Sequence, residues 1–264
     1  MNAQELEQIM MVAHTAAFEA GALLMDKLGR LDSGSIRSKS AARDLVTDAD
    51  VASERLLVER LRTAFPGHAI EAEEEVCDAQ DDRPRWFLDP LDGTVNYVHR
   101  LPAFCVSMGL FQAGQPLIAI VYAPVLRECF LARLGGGATC NGRPMQVSSA
   151  STLGESILAT GFPYRRGEVE HSNLENFSSF FYDVRGMRRM GSAAIDLAYV
   201  ADGRFDGYWE LHLSPHDIAA GALLVREAGG VVTDASGGDD WLRQGHIVAS
   251  GAGIHGAIQE RLRH

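Results

Sequence analysis

The chain has no C-x-x-C pair: Cys77, Cys105, Cys129 and Cys140 are its four cysteines, scattered over 264 residues. That spacing suggests neither a disulfide framework nor a thiolate metal site, and it reads as four reduced, buried, small apolar residues. Basic residues are also scarce, with 24 Lys and Arg against 35 Asp and Glu, a formal charge of −11. Such a surplus repels nucleic-acid backbones and anionic membranes, so a small substrate bridged by cations is easier to accommodate than either. No stretch approaches the roughly 20 continuous apolar residues that span a bilayer, and Glu5 and Glu7 stand among the first residues. The expectation is a cytoplasmic, unexported chain with no membrane partner. Internal repeats, low-complexity tracts and long linkers are missing as well, while 46% of the residues are apolar. One unit over residues 1–264 with an ample core is therefore expected.

What is present falls into two textures. Residues 3–29 carry Ala, Leu, Met and Glu at helical spacing, with Gly29 as a stop. A polar connection over residues 31–43 leads through Thr47-Asp48-Ala49-Asp50 to a second helix, ASERLLVERLRTAF (52–65), ended by Pro66-Gly67. Short β-rich pieces follow at 86–88, 104–111, 117–122 and 129–134. Beyond Gly135–Gly142, the best candidate boundary, strands (157–160, 185–190, 205–210, 231–234, 247–250) alternate with helices (174–181, 192–201, 215–228 and a terminal one). The fold class is α/β, with sub-regions of about 1–142 (helices, then an antiparallel sheet) and 143–264.

The sharpest motif is Asp89-Pro90-Leu91-Asp92-Gly93-Thr94, directly after Trp86-Phe87-Leu88. A Pro between two acids three apart lets both carboxylates turn toward one point, as a hard cation such as Mg²⁺ requires. The Leu91 carbonyl offers a further oxygen, and Gly93 and Thr94 offer amides for an anion. Alone, D-x-x-D-G-T is equally a turn. Glu73-Glu74-Glu75 alone is more readily a solvated charge run, and Ser214-Pro215-His216-Asp217 an ordinary helix start. Three such acidic clusters at the ends of strands or helices are what a multi-cation site needs.

As a whole the pattern resembles the inositol monophosphatase family. The resemblance runs in order through Lys39 and DLVTDAD (44–50), AEEEV (72–76), WFLDPLDGTVNYVHRLP (86–102), MGSAA (190–194) and HDIAAGALLVREAGGVV (216–232). It implies a layered αβαβα sandwich and a Mg²⁺-dependent, Li⁺-sensitive phosphoric monoester hydrolase with two or three Mg²⁺ per site, usually a homodimer. The family's metal ligands fall on Glu73, Asp89, the Leu91 carbonyl, Asp92 and Asp217. Its catalytic Thr–Asp pair falls on Thr94 and Asp50, with Glu73 the ligand on the side of the attacking water. Asp92, Ser192, Ala193 and Glu210 would face substrate hydroxyls, the Gly93 and Thr94 amides would hold the phosphate, and Lys39 and Glu74 would support the site. Three departures stand out: Ala72 where Gly is common, Val95 for a second Thr, and His216 for the usual Trp, to which no role is assigned.

The implied reaction is in-line attack of an activated water on inositol monophosphate or a similar polyol or sugar phosphate, with no covalent enzyme intermediate. The same scaffold admits fructose 1,6-bisphosphate, adenosine 3′,5′-bisphosphate, NADP or histidinol phosphate as substrates. A non-catalytic partnership with RNA or the transcription machinery would show a broken metal set, and here every acid is in place.

Overall fold

The structure is a computed structural model that describes residues 1–30, 34, 36–39, 44–164, 167–169 and 171–263. Most of the predicted polar connection over residues 31–43 lies outside the described residues. The first helix, α1 (Ala3–Lys27), opens with a reciprocal cap: Asn2 Oδ1 accepts from the Glu5 amide at 3.0 Å while the Asn2 amide donates to Glu5 at 2.8 Å. Its apolar positions Leu6, Ile9, Ala13, Ala16, Ala17, Ala20 and Leu24 are buried. Length and composition alone would let α1 cross a bilayer, yet this face packs on the protein's own sheet. Strands β1 (Ile36–Ser38) and β2 (Leu45–Thr47) pair antiparallel and lead into α2 (Asp48–Ala64). The expectation started this helix at residue 52. It starts at Asp48, because Thr47 caps it, so the acidic segment is its first turn.

A seven-stranded sheet follows, in the order β3-β4-β5-β6-β7-β8-β9. Its strands are β3 (Ala69–Ala72), β4 (Arg85–Asp92), β5 (Cys105–Gln112), β6 (Gln115–Ala123), β7 (Glu128–Arg133), β8 (Gly137–Cys140) and β9 (Arg143–Pro144), with a short helix α3 (Thr94–Val98) after β4. Only β3 and β4 run parallel. All of β4 is buried because the sheet is covered on both faces. Alternate residues enter different cores: Trp86, Leu88, Val106, Met108, Ile118 and Ile120 meet α1 and α2, whereas Phe87, Cys105, Ala119 and Val121 face the other way. That second face is built of small groups, and α6 (Pro215–Glu227) lies close upon it; a Cβ at Gly109 would stand 2.9 Å from the Ala219 Cβ.

The second sheet has the order β11-β10-β12-β14-β13, made of β10 (Ile157–Thr160), β11 (Gly186–Arg188), β12 (Gly207–Glu210), β13 (Val231–Thr233) and β14 (Ile247–Ser250). Helices α5 (Ala193–Ala201) and α6 pack between the two sheets, while α4 (Leu174–Phe180) and α8 (Ala252–Gln259) close the far side with Phe180, Ile254 and Ile258 over Leu158, Trp209 and Val248. A short α7 (Trp241–Gln244) precedes β14. The layers alternate αβαβα, as the resemblance implies. Cys105, Cys129 and Cys140 are buried free thiols, but Cys77 is exposed, contrary to the reading of all four as buried, because it follows the turn after β3.

Candidate active site

The end of β4 carries two of the acids. Pairing with β5 shifts register between Asp89 and Asp92, so the Pro90-Leu91 step bulges and strict alternation is broken. Ser53 Oγ donates to the Pro90 carbonyl at 2.9 Å and the Leu91 amide donates to Asp89 Oδ1 at 2.9 Å, fixing the bulge. Gly93 has φ 94°, where a Cβ would lie 2.8 Å from the Ala103 carbonyl oxygen, so only glycine fits before α3. Thr94 then presents its hydroxyl 3.0 Å from Asp50 Oδ1 and 3.1 Å from the Leu91 carbonyl. Asp50 arrives from α2, where its other oxygen accepts from the Thr47 amide at 2.9 Å and the Thr47 hydroxyl at 2.6 Å. One carboxylate thus caps a helix and holds Thr94.

Glu73 lies beside Asp89 because its amide donates to the Leu88 carbonyl at 3.1 Å. Lys39 Nζ lies 2.8 Å from Glu73 Oε1 and 2.5 Å from Glu74 Oε1. The backbone of this acidic turn is gripped by Glu54 of α2, whose oxygens accept from the amides of Glu74, Glu75 and Val76 at 2.7 to 2.9 Å. Only Glu75 behaves as the solvated charge of the bland reading; it pairs with exposed Arg55.

From the second half, the Ser192 hydroxyl and the Ala194 amide donate to Asp92 Oδ2 at 2.6 and 2.8 Å. Ser192 therefore spends its proton on Asp92. Glu210 ends β12, and Asp217 sits in the first turn of α6 with Oδ2 accepting from the Ser214 amide at 2.6 Å. Lys39, Glu73, Asp92, Ser192, Ala193, Glu210 and Asp217 line one cavity of about 300 Å³. His216 lines it too, its ring 3.9 Å from Asp217.

A profile of the inositol monophosphatase family matches residues 5–264. The chain belongs to the inositol monophosphatase family. It is similar to the inositol-1-monophosphatase of Synechocystis sp., 42% identical over 261 residues that cover 98% of this chain and 90% of that protein. It is also similar to Nus factor SuhB of Pseudomonas aeruginosa, 43% identical over 251 residues, 92% of each. The solved inositol monophosphatase of Anabaena (Nostoc) sp. has the same fold, with a TM-score of 0.88 at 42% identity, covering 97% of this chain and 96% of that one. This chain is a phosphatase of that family, whose members are in general metal-dependent.

The charges of the phosphatase's acids fit such a dependence. Burial, then Glu73, Asp92 and Asp217, raise Asp89 well above the usual carboxylate range. Burial and then Asp217 push Asp92 up to about 7, and burial and Glu73 push Glu74 up to about 7 against the pull of Lys39. Asp217 is raised by burial, with His216 pulling the other way. Carboxylates that penalise one another's charge, offering oxygen alone, fit a hard divalent cation. Among the described residues no three acidic, His or Cys side chains close on one ready-made ion position; the Lys39 ammonium is the cation that Glu73 and Glu74 hold. The sequence reading missed Glu54, which grips the acidic turn, Arg189 and Asp196, which also line the cavity, and Tyr208, whose hydroxyl donates to Glu210. Glu54 had a signal, an acid on the buried face of an amphipathic helix.

Proposed function

We propose that the phosphatase hydrolyses inositol monophosphate or a similar small polyol or sugar monophosphate with Mg²⁺, two or three ions per site, as a Li⁺-sensitive cytoplasmic homodimer. The observation that carries this reading is the shared cavity: Glu73, Asp92 and Asp217, suited to cations, and Glu210, suited to hydroxyls, line one space. Glu73, Asp89, the Leu91 carbonyl, Asp92 and Asp217 would hold the ions. Bound Mg²⁺ supplies neutralisation of phosphate charge and acidification of water. Thr94 takes the proton of the attacking water as it passes its own hydroxyl proton to Asp50, to which it donates. Burial pushes Asp50 up to about 6, against the hydrogen bonds of Thr47 and Thr94, which suits a group that accepts a proton near neutrality. The amides of Gly93 and Thr94 hold the phosphate, and Ala193 and Glu210 orient the polyol. Fructose 1,6-bisphosphate, adenosine 3′,5′-bisphosphate, NADP and histidinol phosphate are the competing substrates on the same site.

Phosphate release from a panel of inositol, sugar, nucleotide and histidinol phosphates, with Mg²⁺ titrated and Li⁺ added, tests the reading. Inositol monophosphate is hydrolysed fastest, and both EDTA and Li⁺ suppress the rate. Release from none of the panel would sink the enzymatic reading. It would favour a partnership with the transcription machinery, which the name of the Pseudomonas relative, a Nus factor, supports.

Lys39→Met tests the cation site separately. Removing the ammonium leaves Glu73 and Glu74 uncompensated, so the metal-free melting temperature falls while Mg²⁺ affinity by calorimetry rises about threefold to tenfold. Weaker Mg²⁺ binding would show instead that Lys39 organises the ligands.

A further inference from the structure

Glu210 is held from two sides. Tyr208 stands two residues earlier on β12 and so points to the same face. Its hydroxyl donates to Glu210 Oε2 at 2.5 Å. Burial raises the Tyr208 hydroxyl well above its ordinary range, so it remains a donor. Opposite lies Gly161, the residue after β10, which is the parallel neighbour of β12 with Thr160 paired to Trp209. A Cβ at position 161 would collide with both carboxylate oxygens, so the carboxylate rests directly on the bare Cα.

The Gly161 backbone is itself anchored. Asn173 Nδ2 donates to the Gly161 carbonyl at 2.6 Å and to Thr160 Oγ1 at 2.8 Å, and Trp209 Nε1 donates to Asn173 Oδ1 at 2.7 Å. Asn173 is buried and adopts φ 71°, a conformation that Asn tolerates better than most residues. Neither wall of the slot can retreat. Among the described residues Oε1 of Glu210 accepts no hydrogen bond, which leaves it for the cavity that Glu210 lines.

We propose that Tyr208 and Gly161 are positioning residues: they pinch the Glu210 carboxylate so that Oε1 meets a substrate hydroxyl in one orientation, and thereby set the preference for hydroxyl-bearing phosphates. This rests on the reading that Glu210 faces the substrate's hydroxyls. Burial, helped by Asp217 and Asp92, pushes Glu210 up to about 7 even against the Tyr208 hydrogen bond, which is the largest effect opposing it, so the same hydroxyl also favours the charged, accepting form. A free glutamate would sample several rotamers, and each hydroxyl contact would then cost the entropy of choosing one.

The test compares kcat/KM for inositol 1-phosphate with that for phenyl phosphate, which has no hydroxyl for Glu210 to meet, in Tyr208→Phe, Gly161→Ala, Glu210→Gln and the Tyr208→Phe/Glu210→Gln double variant. Tyr208→Phe removes one oxygen from a buried ring of otherwise unchanged shape. Its kcat/KM for inositol 1-phosphate falls about tenfold, mostly through KM, while phenyl phosphate is unaffected. Gly161→Ala moves the ratio in the same direction, and the double variant is no worse than Glu210→Gln alone. Equal losses on both substrates, or a Tyr208→Phe loss that persists undiminished in the Glu210→Gln background, would overturn the positioning role. If Glu210→Gln itself fails to separate the two substrates, the Glu210 reading falls and takes this one with it. If it separates them and Tyr208→Phe does not, only the positioning role falls.

Discussion

Asp92→Asn releases phosphate about 10³-fold more slowly than the parent protein, yet its metal-free form melts about 2–4 °C higher. Both effects come from one charge. Asp92 Oδ2 accepts from the Ser192 hydroxyl and the Ala194 amide, and the amide oxygen of Asn can keep both bonds. What disappears is an anion that burial and Asp217 already penalise. Relieving it stabilises the fold in the absence of metal, and, on the proposed function, it takes away one of the carboxylates that would hold the cation neutralising the phosphate's charge. Phosphate release under saturating Mg²⁺ and calorimetry in EDTA read the two halves. Near-parental turnover would refute the ligand assignment, and a lower metal-free melting temperature would refute the crowding of the acids.

Without metal, the melting temperature falls by roughly 10 °C between about pH 4 and pH 7. Asp92 rises from 3.8 to about 7, Glu74 and Glu210 from 4.5 to about 7, and Asp50 from 3.8 to about 6. In each case burial favours the protonated form, so the folded chain holds protons that the unfolded chain has released. Their stabilising contribution is complete below the unfolded values and is lost as pH climbs through the folded ones. Mg²⁺ at about 100 times its dissociation constant adds about 2.7 kcal/mol, recovering much of the loss near neutrality. Scanning calorimetry at stepped pH, with and without Mg²⁺, measures this. A flat or rising metal-free profile, or no shift on adding Mg²⁺, would contradict it.

Much of the site was legible because its acids sit in ordered motifs whose spacing survives folding. Asp89, Asp92, Asp217 and Glu210 could be named from β-end and helix-start chemistry together with the family resemblance. Periodicity also gave the long elements: α1, β5, β6 and α6 differ from expectation only at their ends. Elements of two to four residues, such as β1, β2, β8 and β9, are too short to show a period, and tertiary pairing forms them. Contacts between distant segments were equally invisible. Glu54 capping the acidic turn, Lys39 bridging Glu73 and Glu74, and Ser192 committed to Asp92 all depend on which surfaces meet, which no local pattern records. Cys77 was misjudged for a similar reason, since thiol chemistry says little about which side of a turn faces water.

The double duty of Asp50 limits what evolution can do at this position. One oxygen accepts from Thr47 at the start of a seventeen-residue helix and the other accepts from the Thr94 hydroxyl. Asn at this position would keep a helix start but weaken proton acceptance, whereas Ala would forfeit both, so loss of activity in an alanine variant cannot by itself distinguish broken chemistry from a frayed helix. Any replacement of Asp50 must therefore still accept from the Thr47 amide if the start of that helix is to survive.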